Sequence, residues 1–454
     1  MATEPHLPDL PAAVDLDGSG IADASATMRA SGAAPAAAAP DAGDGRPQEL
    51  VGAGTRFSIA FAFFGTFLAL TPLVQVTLAL RVNQLDPDGK AAALSLILGV
   101  GAFVALVAQN IFGALSDRTK SRWAMRKPWL LSGAVAAGAS LVWVASADTI
   151  PSLLAAWAVA QLSFNILLAG LNPVVPDQVP KRQLGRMSGL IGITQTLAGV
   201  GGVFLAQLFL PNLFLAILLP GVLCLIAVGV LLLVLRDRVL EPGTIGRFRF
   251  RDSLLAFWTS PRTSPDFALA WWSRLLVTFG NFTLVSYQVF FLIDHFGYTQ
   301  ADIGAAVLQL TLVSTACSVV TALIVGRISD RIGRRKLFVL ISASVIAVAH
   351  LLAAFSPDFA TFLLAAAIAG TANGVYLAVD SALIVEVLPS RADVGKDMGV
   401  LHLANVLPQT LVPVVAPLFL AIGGTGDNYI ALFVAGSVIG LVGAIVNQFI
   451  KSVR

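Results

Sequence analysis

GALSDRTKSRWAMRKPWL, residues Gly113 to Leu130, and GRISDRIGRRKL, residues Gly326 to Leu337, are the two stretches whose reading decides the fold. Each opens on glycine, passes through Ser-Asp-Arg into a cluster of arginine and lysine, and runs into a new apolar segment. Each also follows a long apolar segment. A short basic motif that returns once, about two hundred residues later, between hydrophobic runs reads as a duplicated membrane protein.

The rest of the composition agrees. Of the 454 residues, 57% are hydrophobic and only 12% charged, with a mean hydropathy of +0.83. A soluble domain carries about 25% charged residues. Apolar runs recur at lengths that cross a hydrocarbon core of about 30 Å. Cys224 and Cys317 both lie in such runs and read as small buried apolar residues, with neither a disulfide framework nor a metal site. No Gly-x-x-x-x-Gly-Lys-Ser/Thr loop is present, so the energy for any transport comes from a gradient and not from ATP. No cofactor is expected.

Working outward from the two motifs, the predicted spans are Phe57–Leu80, Ala91–Phe112, Trp129–Ala147, Ser152–Val175, Met187–Leu210 and Leu213–Leu235. The second set is Phe267–Ile293, Ile303–Val325, Leu337–Phe355, Phe359–Leu388, Val400–Ile422 and Tyr429–Ile450. Residues 1–52, rich in Ala, Pro, Gly and Asp, are expected to form a disordered cytoplasmic tail, because they bury too little apolar surface to offset their ordering entropy. The expected organisation is a six-helix bundle over 53–235, a cytoplasmic interdomain loop over 236–266 and a second six-helix bundle over 267–454. Within that loop Arg247, Arg249 and Arg251 alternate with Phe248 and Phe250, an interfacial pattern suited to an anionic leaflet; a nucleic-acid partner is not expected in so apolar a chain. Lys and Arg concentrate in the loops after the even-numbered spans, which places those loops and both termini in the cytoplasm of a multi-pass plasma-membrane protein.

The halves match again at the ends of their fourth helices. Asp177-Gln-Val-Pro180 precedes Gly185-Arg186 and Gly189, and Glu386-Val-Leu-Pro389 precedes Gly395-Lys396 and Gly399. With these residues in view the chain resembles the major facilitator superfamily, whose cytoplasmic loop signature Gly-x-x-x-Asp-Arg-x-Gly-Arg-Arg fits GRISDRIGRRK. The first copy, SDRTKSRWAMRKPW, is more similar to the variant of glycoside–pentoside–hexuronide symporters and sucrose-type carriers, although Ala124-Met125 stands where those carriers show Gly-Arg. The resemblance implies an all-α membrane fold of twelve transmembrane helices in two pseudo-symmetric six-helix bundles. It implies a carrier and not an enzyme, working as a monomer in the lipid bilayer by alternating access on a small-molecule solute. Sodium-coupled members of the resembled group place acids in span two, and Ala91–Phe112 holds none, so sodium coupling is not expected; coupling to protons and no ion coupling at all both fit.

Three groups of residues are candidates for function. Asp117 and Asp177 are expected to pair with Arg118, Arg122 and Arg126, and Asp330 and Glu386 with Arg331, Arg334 and Arg335, as a cytoplasmic gate. Carboxylates at a helix end accept charge-assisted bonds from guanidinium groups. Arg274 in span seven and Asp380 in span ten lie at equal depth, roughly 12–14 Å from the cytoplasmic helix ends at 1.5 Å per residue. Charge so deep in a membrane is costly and is usually functional. A gating or proton-coupling pair and a static bridge between helices both fit. Gln75, Asn165, Asn172, Asn281, Gln288, Asn373, Tyr376, His402 and Asn405 are candidates for the wall of a substrate cavity, since amides offer both donors and acceptors to a polyhydroxyl solute. Bonding between packed helices is the plainer alternative for each. The expected function is secondary active transport of a small polar solute, a sugar or glycoside first, coupled to protons. The alternatives are an exporter of a drug or metabolite and, more remotely, a membrane sensor that transports nothing.

Overall fold

The computed structural model describes residues 50–121, 123–210, 212–237, 264–332, 335–387, 394–424 and 428–451. The expected tail and most of the interdomain loop, with Arg247, Arg249 and Arg251, lie outside the described residues. Every element among the described residues is a helix, and twelve are long and apolar enough to cross a membrane. They are α1 (Ala53–Leu85), α2 (Lys90–Ser116), α3 (Lys127–Ser146), α4 (Ile150–Gln178), α5 (Lys181–Phe209) and α6 (Leu213–Val234) in the first half. The second half contains α7 (Pro265–Phe296), α8 (Ile303–Ile332), α9 (Arg335–Ala354), α10 (Phe359–Val387), α11 (Val394–Leu420) and α12 (Tyr429–Asn447). Phe103, Val135, Val348 and Leu418 are exposed, as side chains facing acyl chains are.

The packing repeats with the sequence. In the first half α1 packs on α5 and α6, α4 on α2 and α3, and α3 on α6. In the second half α7 packs on α11 and α12, α10 on α8 and α9, and α9 on α12, which is the same set six helices on. The halves meet mainly through α2 against α11 and α5 against α8, two contacts that the same operation exchanges. Without a hydrophobic drive between helices in lipid, such contacts rest on close backbone approach by small residues. Gly370 and Gly374 of α10 lie so close to α8 that a Cβ on either would strike the Ser314 or Ser318 carbonyl oxygen.

One helix is not α-helical throughout. Pro72 lies inside the first span, and the chain continues through it as α-helix over Ala53–Pro72, π-helix over Leu73–Thr77 and α-helix again over Leu78–Leu85. Proline has no N–H to donate, and the widened turn absorbs its ring. Thr77 Oγ1 returns a bond to the Pro72 carbonyl at 3.4 Å.

The face carrying residues 117–126 and 178–182 is called here the basic face. At the opposite face the halves are joined. Lys90 Nζ of α2 meets Asp294 Oδ1 of α7 at 2.5 Å, and Ser95 Oγ meets Tyr287 Oη at 2.6 Å. Gln84 Nε2 donates to Gln300 Oε1 at 3.0 Å, and Gly304 of α8 is packed against Leu210 and Gln207. Toward the basic face α5 and α8 separate. Gly185, Gly189 and Gly192 have open space around them, and Leu323, Ile324, Ile328 and Ile332 are exposed. Among the described residues, the molecule is closed at the opposite face and splayed at the basic face.

Candidate functional site

Arg126 organises the basic face of the first half. It sits just before α3, 5% exposed in its side chain, and joins two carboxylates: Nη1 reaches Asp117 Oδ1 at 2.8 Å and Nε reaches Asp177 Oδ2 at 2.9 Å. Nη1 also donates to Ser116 Oγ at 2.8 Å. The rigid fork of a guanidinium suits this task, because its donors are held in one plane toward several acceptors. Asp237, just beyond α6, accepts from the backbone N–H groups of Arg126 at 2.5 Å and Lys127 at 2.9 Å. It thereby caps α3 from more than a hundred residues away, a role the sequence reading missed. Every one of these partners belongs to the first half. Of the other expected members, Arg118 donates from Nη1 to the Ala114 carbonyl at 3.2 Å, and Arg122 lies outside the described residues. Ala124, in the same loop, has φ +76°, a conformation that glycine adopts without strain; the resembled carriers have glycine there.

In the matching loop of the second half, Arg334 lies outside the described residues, as do the side chains of Asp330 and Glu386. Arg331 is exposed and Arg335 half-buried. Lys336 donates to the Ile450 carbonyl, and Gln448 Nε2 donates back to Lys336 O at 3.1 Å.

Arg274 and Asp380 do meet. Arg274 Nη1 lies 3.4 Å from Asp380 Oδ2, with the two side chains 17% and 8% exposed, and Arg274 Nε donates to Asn405 Oδ1 at 2.9 Å. The pair and the amide tie α7 to α10 and α11. Tyr376 is buried beside Asp380, one turn earlier on α10.

Further along α7 lies a cavity of about 250 Å³. Four of the expected wall residues line it: Gln75, Asn281, Gln288 and Asn373. Asn281 Nδ2 points to Asn373 Oδ1 at 3.4 Å. Gln75 is the wall's one contribution from the first half, and it stands in the π-turn that follows Pro72. Thr311, Ser314 and Thr315 of α8 and His350 of α9 complete the polar part, and Leu284, Val285 and Leu310 give an apolar side. Among the described residues, no Asp, Glu, Lys or Arg is in that wall. His350 was not expected there; a lone histidine in an apolar span carries no periodic signal.

The cavity does not gather the remaining candidates. Asn165 donates to the Gln161 carbonyl of its own helix at 2.8 Å, and Asn172 is exposed on α4. Asn405 serves Arg274, Tyr376 stands by Asp380, and the side chain of His402 lies outside the described residues. Asn and Gln are common both in cavity walls and between packed helices, so only placement separates the two uses.

The sequence model of the Major Facilitator Superfamily matches residues 54–317 and 300–453. The chain belongs to that superfamily of transporters and is a multi-pass membrane protein. A stretch of 90 residues is 37% identical to the Uncharacterized MFS-type transporter YfiU of Bacillus subtilis, covering 20% of this chain and 17% of that protein. The matched stretch thus spans about a sixth of that relative's length. The fold is similar to that of the nucleoside transporter NupG, with a TM-score of 0.67 at 14% identity over 88% of this chain and 100% of that one. It is also similar to an inward-facing bacterial homologue of the human lysosomal transporter Spinster, with a TM-score of 0.64 at 14% identity over 87% of this chain and 94% of that one.

Proposed function

We propose that this protein carries a small, uncharged, polyhydroxylated solute, a sugar or glycoside first, across the plasma membrane by alternating access, coupled to protons. The basic face and both termini are then cytoplasmic, and the splayed arrangement is the inward-open state. The carrying observation is the cavity wall, in which four amides, three hydroxyls and an imidazole face about 250 Å³ with no ionised side chain among them. Such a wall can match both donors and acceptors of a polyol, while a charged solute would find no counter-ion there. The apolar side suits the C–H face of a sugar ring. Arg274 and Asp380 supply the proton step in this reading: protonation of Asp380 leaves Arg274 held by Asn405 and loosens α10 from α7. Asp117, Asp177 and Arg126, with the corresponding residues Asp330, Arg331, Arg334, Arg335 and Glu386, act as the inner gate as the halves rock.

Uptake into proteoliposomes of sugars, nucleosides and hydrophobic cations, under an imposed proton gradient, tests this. Sugar uptake is expected to fall at least tenfold in Gln288→Leu and Asn281→Leu. Asp380→Asn is expected to lose gradient-driven uptake and keep exchange. A nucleoside is the competing substrate, because the similar NupG is a nucleoside transporter and a base and ribose offer the same kinds of edge to amides. Preferential uptake of nucleosides would replace the sugar, and uptake of hydrophobic cations alone would replace both with the exporter reading.

A further inference from the structure

A groove apart from the cavity lies at the end of α1 on the basic face. Phe57, Phe61 and Phe64 form a ladder on one face of that helix, with centroids 5.6 Å and 6.3 Å apart and ring planes within 12° and 11°. With Ala53, Ala60 and, from α5, Leu190 and Thr194, the ladder walls a groove of about 500 Å³ at the basic face. Arg56 stands at its mouth. The Arg56 Nε is buried and has no hydrogen-bond partner among the described residues. By contrast, Arg126 on this face is held by two carboxylates among the described residues. The helix start beside it adds to the same field: N-cap Gly52 has no side chain to cap the free N–H groups, and the first turn holds no acid. A cation and a helix N-terminus at one end of a long apolar trough have the charge and shape complementary to an anionic head with a hydrocarbon chain.

We propose that this groove binds an anionic phospholipid of the leaflet at the basic face, its phosphate on Arg56 and one acyl chain along Phe57, Phe61 and Phe64. The ladder runs about 12 Å along the helix axis, from Arg56 to Phe64 at 1.5 Å per residue. Phe57 is 63% exposed, which leaves the trough open to lipid without a change of fold. The anionic leaflet supplies the ligand at high local concentration, and its surface potential favours basic sites near the membrane plane.

Native mass spectrometry of the full chain in detergent, titrated with dioleoyl phosphatidylglycerol or dioleoyl phosphatidylcholine, tests the site through the first lipid bound. Wild type is expected to bind phosphatidylglycerol at least fivefold more tightly than phosphatidylcholine. Arg56→Gln is expected to erase that preference, and Phe61→Ala to weaken both lipids while keeping the preference. Arg56→Lys keeps the charge but not the planar fork, and is expected to lower the preference at least twofold; it serves where Arg56→Gln does not fold. Undiminished preference in whichever Arg56 variant folds overturns the proposal. So does glycerol 1-phosphate displacing phosphatidylglycerol at equal concentration, since that outcome marks a free-phosphate site with no use for the ladder.

Discussion

Arg126 shows how much one side chain settles at the residue scale. Its guanidinium is nearly buried, while Asp117 remains 60% exposed and Asp177 27% exposed. Removing the arginine therefore strands carboxylates and the Ser116 hydroxyl in a partly dry site, whereas removing Asp117 gives up a bond already shared with water. Arg126→Ala is expected to cost about 3 kcal/mol of stability, and Asp117→Ala less than about 1 kcal/mol. Thermal melting of the two purified variants in detergent measures the difference; equal losses would mean that the cluster does not depend on its central cation. The presence of acids and arginines in this loop was legible in the sequence. Which arginine takes both acids was not, because Arg118, Arg122 and Arg126 are equivalent as charges and differ only in where the folded loop aims them.

The element that orders the site is α7. Arg274, Asn281 and Gln288 are spaced by seven residues, so they share one face of the helix and step along it by about 10 Å each. The first meets Asp380, the next two line the cavity, and Tyr287, next to Gln288, and Asp294, further on, join α2 at the opposite face. That face was readable as a spacing. The contribution of α1 was readable only in part: Gln75 was a candidate from its polarity, but the π-turn that surrounds it follows from how Pro72 is accommodated. The wall formed by α8 and α10 depends on contact between backbones. Gly374→Ala places a methyl group against the Ser318 carbonyl and is expected to cost about 1–3 kcal/mol, as overpacked contacts do. Gly113→Ala, with nothing within 4 Å of the new carbon, is expected to be neutral or to stabilise by up to about 1 kcal/mol. Melting temperatures of the pair decide whether close packing or helix propensity governs these glycines.

At the scale of the whole molecule the two halves lean together at one face and apart at the other. Lys90 is buried at the closed face, held by Asp294, which also accepts from Tyr429 Oη at 2.9 Å. A buried ammonium without its carboxylate is costly, so removing Asp294 penalises the closed face specifically. Asp294→Asn is expected to shift the population toward closure at the basic face. Spin labels at Gly185→Cys and Ile328→Cys, in a background without Cys224 and Cys317, are expected to report a new, shorter distance in that variant. An unchanged distance distribution would mean that Lys90 and Asp294 do not hold the two halves in this arrangement.

The amino-acid sequence by itself determined twelve spans, their duplication, the side on which the basic loops gather and the depth of Arg274 and Asp380. All of these follow from local quantities: the transfer cost of each residue, the rise of a helix and the order of charges along the chain. Only the tertiary structure decided that Asp237 caps α3, that His350 reaches the cavity, that Asn405 serves an arginine and that Lys90 finds Asp294 some two hundred residues away. It alone decided which face is open. Both arrangements of such a carrier keep the same helices in lipid and bury similar apolar surface. The choice between them rests on a few polar contacts between the halves, and those exist only once the helices have packed.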